Sequence, residues 1–184
     1  QDYDQAIRLA PDYDLAYSQR GQSYAALGEH QRAIQDYDQA VLLDADNELP
    51  YVNRALAYYD LGQHQRAIQD FDQTIRINPY LSEAYNNRGI AYQNLGQYDR
   101  AIQDYDEALR LNPQNTMTYN NRGSVYHTLG QHRRAIQDYD EAIRLSPQLA
   151  AAYNNRGGAY ARLGQAANAK ADQEKACQLD KQYC

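Results

Sequence analysis

The 184-residue chain has no tryptophan, one phenylalanine and three lysines, set against 19 tyrosines and 15 arginines. The lysines, Lys170, Lys175 and Lys181, cluster near the C-terminus, and the formal net charge is −6. An acidic chain without a basic patch is a poor match for the phosphate backbone of nucleic acid. No apolar run approaches the roughly 18 residues of a membrane-spanning helix. No glycine-rich phosphate loop and no nucleophile–base pair at a sensible offset is found, so no catalytic residue, cofactor or metal is expected. Only two cysteines occur, Cys177 and Cys184. If both are helical, their spacing separates them by about 10 Å, beyond disulfide reach. Two free thiols are the expectation, and a bridge requires the helix to end near Asp180. There is no initiator methionine and the chain opens inside a helical pattern at Gln1, so it reads as a fragment trimmed at its N-terminus, and no compartment is assigned.

What is present is a period of 34 residues without insertion or deletion. Tyr17, Tyr51, Tyr85, Tyr119 and Tyr153 share one column, and Gly21, Ala55, Gly89, Gly123 and Gly157 another. Complete copies span 14–47, 48–81, 82–115, 116–149 and 150–183, preceded by a half copy at 1–13. In the copy 82–115, Tyr85, Arg88, Gly89, Tyr92 and Leu95 share one face at helical spacing. Gly96 breaks the pattern, and Tyr98, Ala101, Ile102, Tyr105, Ala108 and Leu109 then form a second stripe, ended by Asn112-Pro113. Each copy therefore predicts a hairpin of two helices, roughly 14 residues and about 20 Å each. The small columns at Gly89, Ala101 and Ala108 mark close helix crossings. A lone hairpin cannot bury its stripe, so neighbours must stack.

The columns of Tyr85, Gly89, Tyr92, Ala101, Tyr105, Ala108 and Pro113 resemble the tetratricopeptide repeat over the whole chain. Tyrosine stands where that family often has tryptophan, and Arg88 where it usually has leucine. The RNA-binding helical repeats fit less well in period and signature. The resemblance implies an all-α, right-handed superhelical solenoid of helix-turn-helix repeats. It also implies a non-catalytic protein-interaction scaffold whose first helices line a concave groove for an extended peptide or a partner's helix. Near-identical copies are similar to those of bacterial arrays. In the last copy the second helix drifts to AANAKADQEKACQL, with Gln173 in place of the aromatic, and reads as a solvent-facing C-terminal cap close to the natural end of the protein.

Under that resemblance, the groove residues are those opposite the first-helix packing stripe. Asn53, Asn86, Asn87, Asn120, Asn121, Asn154 and Asn155 form columns of amides, each with two donors and an acceptor. Asparagine is otherwise a weak choice inside a helix. Val52, Leu56 and Tyr59 make an apolar patch, Met117 extends it, and Gln93 and His127 occupy a variable column. The groove columns hold no lysine and one arginine, Arg162, which argues against the carboxylate-clamp subgroup that takes acidic chaperone tails. A neutral or weakly basic peptide fits better. The alternatives are an interaction region of a larger modular, even enzymatic, protein, and a scaffold that self-associates through the exposed face (Tyr3, Ala6, Ile7) of the half copy.

Two charged columns recur on the packing side. Arg20, Arg54, Arg88, Arg122 and Arg156 are expected to pair with Asp36, Asp70, Asp104, Asp138 and Asp172, in the same or the preceding hairpin, because a bare charge there would be costly. Asp72–Arg76, Asp106–Arg110 and Asp140–Arg144 read as exposed pairs four residues apart. His30, His64 and His132, one per hairpin, are assigned to packing, and His127 alone to the groove.

Overall fold

The computed structural model describes residues 2–184, which form eleven α-helices and one closing 3-10 turn and contain no strand. They fall into two compact units that divide between Gly96 and Gln97. The first contains α1 (Asp2–Leu9), α2 (Asp14–Ala26), α3 (His30–Leu43), α4 (Glu48–Asp60), α5 (His64–Ile77) and α6 (Ser82–Asn94). The second contains α7 (Tyr98–Leu111), α8 (Thr116–Thr128), α9 (His132–Leu145), α10 (Ala150–Arg162), α11 (Ala166–Leu179) and the turn Lys181–Tyr183.

Within each unit, consecutive helices pack in the order of the chain, α1 on α2 through to α5 on α6, and α7 on α8 through to α10 on α11. The hairpin turns are built as the glycines predict. Gly62 and Gly130 have φ of 72° and 73°. At the first of these turns, the Gly62 and Gln63 N–H groups donate to the carbonyls of Tyr59 and Tyr58, each at 2.8 Å, closing the end of α4 in a Schellman arrangement. The second helices end on an extended residue, Asn78 or Asn112, that a proline follows. Asp44 adopts the same extended geometry ahead of Ala45, so the proline reinforces the break and is not its sole cause.

The core is a file of small residues set around the ring that α3, α5 and α9 each bury. In α3, Ala33, Tyr37 and Ala40 are buried; in α5, Ala67, Phe71 and Thr74; in α9, Ala135, Tyr139 and Ala142. The first helices differ from the single stripe expected of them. Leu95 is 39% and Leu27 73% exposed, whereas Ala57 in α4, Val125 in α8 and Ala159 in α10 are buried. The reason is that α4 packs on both α3 and α5, and α10 on both α9 and α11. A helix held between two others is apolar on two sides, and the second side must be small for the axes to approach.

The glycine column is the tightest contact. A Cβ at Gly21 or Gly123 would sit 2.7 Å from the ring of Tyr37 or Tyr139. The hairpin that carries Ala55 instead pairs it with Phe71, the chain's one phenylalanine, in a shared cluster. Tyrosines of the first helices find partners for their polar ends: the hydroxyls of Tyr17 and Tyr85 donate to the carbonyls of Pro11 and Pro79, both at 3.3 Å.

Arginine links successive helices in both directions. Arg54 holds Asp70 of its own hairpin through two bonds, Nε at 2.8 Å and Nη2 at 2.7 Å, and turns Nη1 back to Asp38 of the preceding hairpin at 2.6 Å. Arg20 does the same with Asp36 and Asp4, Arg122 with Asp138 and Asp106, and Arg156 with Asp172 and Asp140. Arg88 reaches back to Asp72 at 2.6 Å. The inter-helix pairing is therefore as expected, but the second aspartate column is not. Asp72, Asp106 and Asp140 bind arginines sixteen residues ahead rather than their neighbours four residues on, and Arg110 and Arg144 pair instead with Glu107 and Glu141. The stack supplies a fixed bidentate-capable guanidinium, which outcompetes a flexible exposed side chain on the same helix.

Cys177 and Cys184 form a disulfide, with Cα atoms 4.7 Å apart, which corrects the expectation of two free thiols. The helix ends at Leu179, Asp180 is extended, and the Lys181–Tyr183 turn doubles the chain back. The Asp180 carboxylate accepts the Gln182 N–H at 3.0 Å, and Gln173 Nε2 donates to the Tyr183 carbonyl at 2.8 Å. The helical spacing assumed from the sequence does not extend to Cys184.

Candidate functional site

The candidate residues lie on an exposed to half-buried face of the first helices, and each unit presents its own portion. In the first unit this face comes from α2, α4 and α6. Leu56 and Tyr59 of α4 and Asn87 and Ile90 of α6 line a cleft of about 50 Å³ floored by Phe71 of α5. Leu56 is 40% exposed at its mouth. The walls are nearly all apolar, and Asn87 contributes the amide. Asn87 Oδ1 accepts from Asn86 Nδ2 at 3.2 Å, and the Tyr59 hydroxyl accepts from Asn94 Nδ2 at 2.7 Å, bracing α4 against α6 across one repeat. Val52 and Asn53 are half-buried on α4 beside this cleft but do not line it. Gln93 is half-buried on α6.

The corresponding face of the second unit is formed by α8 and α10. Asn155 Nδ2 donates to Asn120 Oδ1 at 3.0 Å, and Asn120 is 8% exposed. These two amides brace neighbouring first helices, as Asn94 and Tyr59 do in the first unit. Each amide has more donors and lone pairs than one such bond uses. Asn121 and Asn154 are half-buried, and Met117 is exposed.

His127 is half-buried on α8, and it is not isolated. Its Nδ1 is 3.2 Å from Nδ1 of His132 at the start of α9, with ring centroids 4.9 Å apart and planes tilted by 53°. Burial, with His132 and Arg162 nearby, lowers the His127 pKa from its ordinary 6.5. The same two positions in the first unit hold Tyr59 and His64, ring against ring at 5.0 Å. The spacing of five across a glycine turn was the available signal. It was missed because the two histidines were read as belonging to different faces of different helices.

The ion-pair network on the other side fixes the first helices that bear this face. Burial opposes the charge on Arg54 and Arg122, yet their hydrogen bonds and the charges of Asp70, Asp38, Asp138 and Asp106 hold their pKa above the ordinary value. Burial pushes Asp70 and Asp138 up, against the pull of the arginines. Both partners are thus taken from water to hold position, a cost that only complete pairing offsets. Among the described residues, no group of three or more His, Cys, Asp or Glu is arranged to hold a metal ion, and no helix is long and apolar enough to cross a membrane.

Comparison with known proteins bears on the family and the fold. Family models described as "TPR repeat" match residues 21–62, 55–96 and 123–164, and models described as "Tetratricopeptide repeat" match 82–115, 104–137 and 150–183. No curated protein matches by sequence. Among solved structures, a MamA protein is 25% identical with a TM-score of 0.82, covering 92% of this chain and 92% of that one. MamA from Desulfovibrio magneticus RS-1 is 20% identical with a TM-score of 0.84, covering 92% and 96%. YrrB, titled a TPR protein with an unusual peptide-binding site, is 20% identical with a TM-score of 0.79, covering 98% and 93%. The repeat models account for most of the sequence, and the chain belongs to the tetratricopeptide repeat family.

Proposed function

We propose that this chain is a non-catalytic interaction scaffold that captures an extended segment of a partner protein along the exposed face of its first helices. The observation that carries this reading is the cleft of Leu56, Tyr59, Phe71, Asn87 and Ile90. An apolar notch with one amide at its edge suits a single aliphatic side chain, while the amide holds the backbone beside it. Each unit presents its own proposed surface: Val52, Asn53, Leu56, Tyr59, Asn86, Asn87 and Gln93 in the first, and Asn120, Asn121, His127, Asn154 and Asn155 in the second. Its charge favours a neutral or weakly basic segment, since Arg162 is the one basic side chain in these columns apart from His127. A clamp for an acidic tail needs several cations there.

Selection from a random peptide display library tests the proposal. The wild-type chain is expected to enrich peptides with a recurring aliphatic residue, and Leu56→Glu is expected to lose them, weakening a selected peptide by about tenfold or more, as for a buried anchor. Enrichment that is equal for wild type and Leu56→Glu places recognition elsewhere.

A further inference from the structure

The hairpin 116–149 is the one copy with imidazoles at both positions that flank the first turn. The equivalent pairs are Ala25 and His30, Tyr59 and His64, Gln93 and Tyr98, and Ala161 and Ala166. In that hairpin the two Nδ1 atoms are 3.2 Å apart, within hydrogen-bond distance, one donating and the other accepting according to tautomer, so a metal ion would take the place of the shared proton. Two nitrogens bound to one metal at about 2.05 Å lie about 2.9 Å apart at a right angle and about 3.3 Å apart at the tetrahedral angle. The observed separation falls between these limits. The turn that sets it is rigid: Gly130 sits at φ 73°, its N–H donates to the His127 carbonyl at 3.0 Å, and the Gln131 N–H to Tyr126 at 2.8 Å.

We propose that His127 and His132 form a two-imidazole site for a borderline transition-metal ion, with Cu2+ favoured over Ni2+ and Zn2+, and water filling the remaining positions. Neutral imidazole suits these ions, and the preference among them follows the general order of divalent affinities. Mg2+ and Ca2+, which require oxygen ligands, are not held here. Among the described residues no third protein ligand is grouped with the pair, so the site is open and its affinity modest. Arg162, the charged group of α10 that acts on His127, opposes a dication. That repulsion gives the site a distinctive signature, because removing Arg162 strengthens binding where removal of an ordinary structural residue does not.

The test is titration of the untagged chain with CuCl2, followed by calorimetry and electron paramagnetic resonance. One equivalent is expected to bind with hyperfine structure from two imidazole nitrogens. His127→Tyr, which recreates the ring pair already tolerated at Tyr59 and His64, is expected to weaken binding about tenfold or more while leaving the melting curve unchanged. His132→Ala has the same effect on binding, and Arg162→Ala tightens it several-fold. Copper binding that survives both His127→Tyr and His132→Ala overturns the proposal, as does Arg162→Ala leaving affinity unchanged or weaker.

Discussion

A methyl group at Gly123 would meet the Tyr139 ring at 2.7 Å, so the glycine column is a packing requirement at this position. Gly123→Ala is expected to cost about 1–3 kcal/mol in chemical denaturation, the usual range for overpacking. Adding Tyr139→Phe should recover part of it, since Ala55 and Phe71 coexist in the neighbouring pattern. An unaltered loss in the double variant would show that the hydroxyl does not fix the ring. The buried tyrosines also impose an alkaline limit. Burial pushes the Tyr37 phenol from 10.0 to about 12. The folded state therefore retains a proton that the unfolded chain has released. Its contribution is complete below pH 10 and is lost as pH rises toward about 12, with a slope of about 1.4 kcal/mol per pH unit. Melting temperatures between pH 9 and 11 should fall less steeply for Tyr37→Phe. At this scale the sequence was partly legible. Column chemistry identified the crossing glycines and, of the apolar trio, Leu56 and Tyr59, which line the cleft, but it could not show that Phe71 floors that cleft, that Val52 stays out of it, or that His127 meets His132. Both contacts join residues on different helices whose relative rotation only the packed hairpin defines.

In the copy 82–115 the helix boundaries were readable to within a residue, because glycine and proline act on the backbone locally. Ser82–Asn94 and Tyr98–Leu111 begin and end where the pattern breaks. The errors came from interactions between elements. Reading one helix at a time assigns Asp106 to Arg110, whereas the stack carries it to Arg122, and helical spacing keeps Cys177 from Cys184 where the chain in fact turns. The Arg54 clip offers a direct test of what the network contributes. Arg54→Met leaves Asp70 buried without its partner and is expected to cost about 3 kcal/mol or more. Replacing both, as Arg54→Met with Asp70→Leu, should cost much less, because the desolvated charge goes with its partner. Equal losses in the single and double variants, measured by urea unfolding, would mean that the clip stabilises through shape alone.

Across the whole chain, arginine is spent on structure and the exposed first-helix columns are left almost uncharged. Among the described residues, twelve of the fifteen arginines either belong to the inter-helix column or bond to groups within their own hairpin or helix: Arg20, Arg54, Arg88, Arg122 and Arg156 in the column, and Arg8, Arg32, Arg66, Arg100, Arg110, Arg134 and Arg144 locally. The period revealed the family because every copy repeats the same packing problem. The proposed recognition surface was harder to read, because the apolar side chains of its cleft, Leu56, Tyr59 and Ile90, stand in columns where copies differ and repetition gives no signal. The measurement that tests the central claim most directly is a nuclear magnetic resonance titration of the chain with a display-selected peptide. The account predicts that the largest shifts fall on Leu56, Tyr59, Asn87 and Ile90, with smaller ones along the remaining first-helix asparagines. Shifts confined to exposed second-helix positions such as Gln35, Gln69 and Gln137 would contradict it.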